Sequence, residues 1–194
     1  LKTDAQYASE ELAALKYEAK AALASYKNPA DYRAEERAIL LAKVEEGKQA
    51  IDAATKVDEI ATTFASYKSE IDSIKTDAQL TAEELAAAKK KGKIELDVYK
   101  DPADYRTAEQ TTLTEKVAAA KAAVDKATTV DDVEAIVAGA KAELDAIKTD
   151  AQLTAEELAV AKATAKSELD TYKNPADYRT SEQAEIAEKI SAAK

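Results

Sequence analysis

The 194-residue chain contains no cysteine, histidine, methionine or tryptophan, and only three glycines and three prolines. Each absence excludes something. Without histidine and cysteine the usual zinc, iron and copper ligand sets cannot be assembled. The commonest general base and the thiolate nucleophile are missing as well, so any chemistry would fall to Asp, Glu, Lys, Ser or Tyr. The lack of cysteine is compatible with an exported or a cytosolic protein. No apolar run approaches the ~20 residues that span a bilayer, and no signal peptide opens the chain. Basic faces are wanting too: the net charge of −10 argues against nucleic acid and against anionic membrane surfaces.

What is present favours helix. Alanine is very abundant, and Glu, Lys, Asp and Leu supply much of the rest. These residues promote helix, whereas the scarce Gly and Pro oppose it. The expected fold class is all-α.

The sequence also repeats itself. The string IKTDAQLTAEELA starts at Ile74 and again at Ile147, a step of 73 residues, and a looser version, LKTDAQYASEELA, opens the chain at Leu1. A second marker keeps the same step, as YKNPADYR at Tyr26, YKDPADYR at Tyr99 and YKNPADYR at Tyr172. A fixed period of this size signals an array of like units. The expected domains are 1–73, 74–146 and a shortened third copy, 147–194. The chain begins and ends inside the pattern, so it reads as a segment of a longer protein.

Within the second copy three helical stretches emerge. The first is expected from about Ala82 to Tyr99, with Thr81 and Glu84 as a capping box and Leu85, Ala88, Gly92, Leu96 and Tyr99 on one stripe. The first copy has Ala8 at the cap position with Ser9 beside it, so its start should shift or fray. The second stretch is expected to begin in the proline marker, with Asp101 as N-cap, Pro102 at the first helical position and Asp104 near the positive end of the dipole. It runs to about Lys126 with Tyr105, Leu113, Val117, Ala120 and Val124 inward. Asn28 and Asn174 take the cap role in the other copies. The third begins near Thr128, with Asp131 three residues on, as Thr55 and Asp58 do in the first copy. Val130, Val133, Val137, Ala140, Leu144 and Ile147 form a 3-4 seam, as do Val57, Ile60, Phe64, Tyr67, Ile71 and Ile74; this is the packing of bundles and coiled coils.

Each unit is thus expected to be an antiparallel, up-down-up three-helix bundle with a thin core, near the lower size limit for a core that folds alone. Three antiparallel helices bring the chain in at one end and out at the other, so tandem copies should form an elongated, monomeric rod. The connector Lys75–Leu80 has no Gly or Pro. It reads either as a tight turn capped by Thr76 with Gln79 or as helix passing straight into the next unit as in spectrin, and we favour the brief break. The third copy ends before its third helix and should be the least stable part unless Ala155–Lys194 packs against a neighbour.

The pieces AKATAKSELD (Ala161–Asp170) and ATTVDDVEAIV (Ala127–Val137) resemble the first helix and the helix-two-to-three junction of GA modules, the three-helix albumin-binding modules of Gram-positive surface proteins. ADYR (Ala103–Arg106) stands where that family has its aromatic start of helix two. The whole pattern is also similar to FIVAR-like helical repeats of bacterial surface proteins. The resemblance implies a three-helix fold and a location at the bacterial cell surface or wall. In that family albumin is held by the second helix and the residues leading into the third, matched here by Thr128, Thr129 and Asp132. The second helix, Tyr105 to Val124, is several turns longer than in a GA module, which would move these residues away from the other contacts.

Several features invite a sharper reading. Tyr32, Tyr105 and Tyr178 recur in phase, as do Tyr26, Tyr99 and Tyr172; aromatics in register could anchor a partner, but each is expected to plug a bundle end with its hydroxyl wet. Tyr7 and Tyr17 occur in the first copy only and should lie on its surface. The acid pairs Glu10–Glu11, Glu83–Glu84, Glu156–Glu157 and Asp131–Asp132 are read as first-turn acids that complement helix dipoles, since no calcium-loop pattern is present. Lys89, Lys90, Lys91 and Lys93 are read as a solvated face. Gly47, Gly92 and Gly139 do not form a phosphate-binding loop. No catalytic, cofactor-binding or metal-binding residue is expected. The expected function is a non-enzymatic spacer or stalk in a surface protein. The alternative is a repeated adhesin module for a host protein such as albumin, marked by exposed apolar residues at identical positions in each copy.

Overall fold

The computed structural model covers residues 1–194 and is all-helical. Eight α-helices follow one another: α1 (Asp4–Ala24), α2 (Ala34–Ala53), α3 (Val57–Asp72), α4 (Asp77–Asp97), α5 (Thr107–Lys126), α6 (Val130–Asp145), α7 (Asp150–Thr171) and α8 (Thr180–Ala193). Short 3-10 turns at Pro29–Asp31, Pro102–Asp104 and Pro175–Asp177 precede α2, α5 and α8. No helix is long and apolar enough to cross a membrane.

The first helix of each copy starts more than a turn earlier than its sequence suggests. Thr3, Thr76 and Thr149 are the caps, not Thr81 or its equivalents. Each threonine hydroxyl accepts from the backbone N–H three residues on, at Gln6, Gln79 or Gln152, and that glutamine's side chain accepts from the threonine N–H. A T-x-x-Q box competes with T-x-x-E on equal terms, and it comes first in the chain. Thr81 therefore lies inside α4, and Ala8 does not fray α1. The connector is a brief break between Asp72 and Asp77, capped by Thr76 with Gln79.

The second helix starts later than expected. Asn28, Asp101 and Asn174 do cap, and proline does follow them, but what they cap is the 3-10 turn. Tyr32, Tyr105 and Tyr178 then take extended backbone, and the α-helix begins one residue past the following arginine. Arg37 and Gln110 reach back to bond the carbonyls of the proline and tyrosine in this turn. Those bonds satisfy acceptors that helix would otherwise have used. The third helix begins one residue later than read: Thr129 caps α6 with Asp132, and Glu59 accepts from the N–H groups of Thr55 and Lys56 at the head of α3.

The chain divides into two compact units, Leu1–Ala87 and Ala88–Lys194, with the boundary inside α4. In the first unit α1, α2 and α3 each pack against the other two. Their core holds Leu23, Tyr32, Leu40, Ile51, Ala54, Ile60 and Ile71, with Phe64, Tyr67 and Ile74 partly buried against it. In the second unit α5 packs on α6, and α7 on α8. Leu96, Tyr105, Leu113, Ala120, Val124, Val133, Val137 and Leu144 are buried there. The expected 3-4 seams are therefore the inward faces, apart from Val57, which is exposed.

Two glycines mark close approaches. A Cβ on Gly47 would collide with Leu23 Cδ2 and lie 3.0 Å from Tyr67 Cγ. One on Gly92 would lie 2.8 Å from Val137 Cγ2. Nothing crowds Gly139.

Candidate functional site

Because the polar groups recur with the period, the site worth building is the set of contacts made more than once. The first joins one copy to the next. Arg33 follows the proline turn at the head of α2, where an arginine cannot serve as a side-chain cap. Its guanidinium instead reaches the first turns of α4. Nε donates to Asp77 at 2.6 Å, the two terminal nitrogens to the two carboxylate oxygens of Glu84 at 2.5 and 2.9 Å, and Nη2 also to Thr81 Oγ1 at 3.0 Å. Asp77, Thr81 and Glu84 stand at steps of four and three, hence on one helix face. Arg106 repeats the arrangement on α7 with Asp150, Thr154 and Glu157. Bidentate pairing of this kind fixes direction as well as distance. Hydrogen bonding to the guanidinium holds the Glu84 and Glu157 carboxyls below their ordinary range, and the same bonds push both arginines up. Beside each clamp a lysine of the connector bonds a glutamate two turns on: Lys75 to Glu83 and Lys148 to Glu156, both at 2.6 Å.

The glutamate pairs thus have an assignment that their sequence setting did not give. They lie past the first turn; in Glu83–Glu84 and Glu156–Glu157 one member takes the connector lysine and the other the arginine, while Glu10 takes Lys2 and no arginine meets Glu11. The signal that could have found this is T-x-x-E recurring in phase with an arginine seven residues past Tyr26 and Tyr99.

The second recurring contact closes the end of a copy. Tyr26 Oη donates to both carboxylate oxygens of Asp72 at 2.8 Å, and Lys27 Nζ pairs with the same carboxylate at 2.6 Å. Lys27 and Lys68 stand over the Tyr26 ring at 4.8 and 4.9 Å, within cation–π range. In the second copy Tyr99 and Lys100 hold Asp145, and Lys100 and Lys141 flank the ring. The lysine and then the tyrosine hydroxyl hold Asp72 and Asp145 below their ordinary range; bonding to the carboxylate raises Lys27, Lys100 and Tyr99. These hydroxyls are therefore bonded rather than merely wet. Tyr32 and Tyr105, by contrast, are buried plugs.

The lysine cluster divides. Lys89 donates to the backbone carbonyl of Asp125 and Lys93 to its side chain, at the C-terminus of α5. Lys16 and Lys20 do the same at Asp52. Cations at this end of a helix meet free carbonyls and the negative pole of the dipole. Thr128, Thr129 and Asp132 are likewise engaged with one another in capping α6.

Several exposed apolar side chains do not recur, although Val57, Leu158 and Tyr172 have the same residue, partly covered, elsewhere in the period. Tyr17 is matched by Lys90 and Ala163, Ile39 by Thr112 and Glu185, Leu41 by Thr114 and Ala187, and Val98 by Ser25 and Thr171. No group of three acidic side chains is placed to hold a metal ion. No protein family, curated protein or solved structure matches the chain.

Proposed function

We propose that this chain is a non-enzymatic, semi-rigid spacer: tandem antiparallel three-helix bundles forming an elongated rod within a bacterial surface protein of the GA-like or FIVAR-like kind. The observation that carries this reading is the clamp. Arg33 on Asp77, Thr81 and Glu84, and Arg106 on Asp150, Thr154 and Glu157, spend the same four donors at each step of the period. A chain selected only to display loosely linked binding modules gains nothing from a fixed joint, whereas a stalk needs one. The outer faces support the same choice, since the exposed Tyr17, Ile39, Leu41, Ile94 and Val98 have polar or small residues at the equivalent positions of the other copies. A repeated adhesin would keep a common anchor.

Because the chain has no cysteine, paired labels can be placed cleanly across the first joint, at Ser66→Cys and Thr112→Cys, two exposed helical positions. A stalk gives a narrow label-to-label distance distribution by electron paramagnetic resonance. A broad distribution spanning tens of ångströms, or saturable capture of a plasma protein with each complete copy counting as a site, would replace the spacer reading with that of flexible or adhesive modules.

A further inference from the structure

The loop that reverses the chain from α1 to α2 grips both sides of the connector that follows α3. Its first residues take the end of the copy: Tyr26 Oη donates to both oxygens of Asp72, the last residue of α3, and Lys27 pairs with the same carboxylate. Its last residue takes the beginning of the next copy: Arg33 bonds Asp77, Thr81 and Glu84 at the start of α4. The second copy repeats both grips, with Tyr99 and Lys100 on Asp145, and Arg106 on Asp150, Thr154 and Glu157. Apart from the two threonine hydroxyls, every side-chain acceptor in these grips is a carboxylate. Further cations gather at the same place. Lys68 stands over the Tyr26 ring and Lys75 pairs with Glu83; Lys141 and Lys148 do the same at Tyr99 and Glu156.

The cores are of another kind. No charged side chain is buried, and Leu23, Leu40, Ile51 and Ile71 in the first copy and Leu96, Val124 and Leu144 in the second are fully enclosed. Ion pairs within a copy, such as Lys20–Asp52 and Lys43–Glu70, lie on its partly exposed surface and contribute little to stability. Ile74 packs against the first core, so the connector keeps its footing if the grips open. What the grips fix is the direction of α4. We propose that the connectors are acid-released hinges: protonation of Asp72 and Glu84, and of their repeats Asp145 and Glu157, frees the helix that begins the next copy while the apolar cores stay packed. The inference rests on the spacer reading, which requires a stiff joint at neutral pH. A protonated carboxyl no longer balances Lys27 or Arg33, and the cations gathered around the connector then repel one another. The bond from Lys27 holds Asp72, and that from Arg33 holds Glu84, below the ordinary carboxylate range. The joint therefore stays gripped in mildly acid solution and opens as the pH falls below about 4.

The test places spin labels at Ser66→Cys in α3 and Ala87→Cys in α4, both exposed, in the whole chain. Distance distributions are measured by electron paramagnetic resonance at neutral pH and near about pH 3, with circular dichroism and thermal unfolding under the same conditions. The distribution should be narrow at neutral pH and roughly twofold wider in acid as the two-point contact is lost. The widening should reverse on neutralisation, with helicity and a cooperative melt retained throughout. The double variant Asp77→Asn/Glu84→Gln removes the charge without acid, so its distribution should already be wide at neutral pH. A distribution that stays narrow in acid overturns the hinge and leaves the spacer standing. Widening that appears only as helicity is lost overturns the hinge too, as does a double variant as narrow as its parent. A distribution already broad at neutral pH in the parent would remove the spacer reading, and the hinge with it.

Discussion

Arg33 and Glu84 are 51 residues apart in the chain and meet through both guanidinium terminal nitrogens and both carboxylate oxygens. Both remain partly exposed, with side-chain accessibilities of 36% and 54%, so the pair contributes little to unfolding stability. Its effect should be on orientation. We expect Arg33→Ala and Arg33→Lys to broaden the label distance distribution across the joint to a similar extent, because lysine cannot reproduce a planar two-point contact. Thermal midpoints measured by circular dichroism should hardly move. A lysine variant with the native distribution would show that charge alone fixes the joint.

Stability should be flat through neutral pH and fall at both extremes. Glu84, Glu157, Asp72 and Asp145 have folded values below the ordinary 4.5 and 3.8. What they contribute is complete above those ordinary values and is lost as pH falls through the lower folded ones. Lys27 and Lys100 lie above the ordinary 10.5, so their contribution is complete below 10.5 and is lost as pH rises through the folded value. With no histidine and no cysteine, no side chain of ordinary pKa titrates between the carboxylates and the tyrosines at about 10. Urea midpoints should hold constant from about pH 5 to about pH 10 and drop outside that window. A step near pH 6.5 would contradict the assignment.

The heptad seams were legible because apolar spacing is a property of one helix at a time: Ile60, Ile71, Val133, Val137 and Leu144 can be placed inward without knowing their neighbours. The clamps were not legible for the converse reason. Thr81 and Glu84 satisfy a local rule for capping, and only the fold brings Arg33 against them. The same limit applies to Asp72, whose partner Tyr26 lies 46 residues earlier in the chain. The proline turn misled in a third way. Asn28 and Pro29 are good start signals, but they do not say whether 3-10 or α geometry follows, and Arg37 settles that by bonding back to the turn.

Gly47 is tied to Tyr67. The equivalent positions in the second copy are Ala120 and Ala140, so the small residue faces a large one in the first copy and the pair is alanine in the second. Gly47→Ala places a methyl against Leu23 and Tyr67 and should destabilise by about 1–3 kcal/mol, despite a helix-propensity gain of about 1 kcal/mol. Tyr67→Ala in the same chain should recover part of that loss, and the double-mutant cycle should be non-additive. Gly139→Ala, with open space around it, should stabilise by about 0.5–1 kcal/mol. Urea unfolding of the four variants separates crowding from propensity.

The Thr76–Gln79 box holds the start of the helix that receives Arg33. Removing the hydroxyl with Thr76→Ala leaves the Gln79 N–H without its acceptor and should cost about 1 kcal/mol. The loss should be local: hydrogen exchange should accelerate at Gln79 and Leu80 and leave the α1–α3 core unchanged. Thr81→Ala, inside α4, should spare these amides and weaken only the Arg33 contact.

Leu23 and Leu169 occupy the same place in the first and third copies, and their surroundings differ by one helix. Leu23 is fully buried between α1 and its neighbours, so Leu23→Ala removes transfer energy and leaves a cavity, a loss of about 2–5 kcal/mol. Leu169 is only partly covered. Truncation there opens no enclosed void and removes less apolar area from shelter, so Leu169→Ala should cost under about 1 kcal/mol. The same contrast governs local motion. Few buried apolar contacts and many solvent-facing backbone bonds place α7 and α8 at the low end of the local-stability range. Their amides should exchange well before those of α2 and α5. Equal protection in α8 and α5 in the isolated chain, measured at concentrations low enough to exclude self-association, would mean that the hairpin is stable without a third helix.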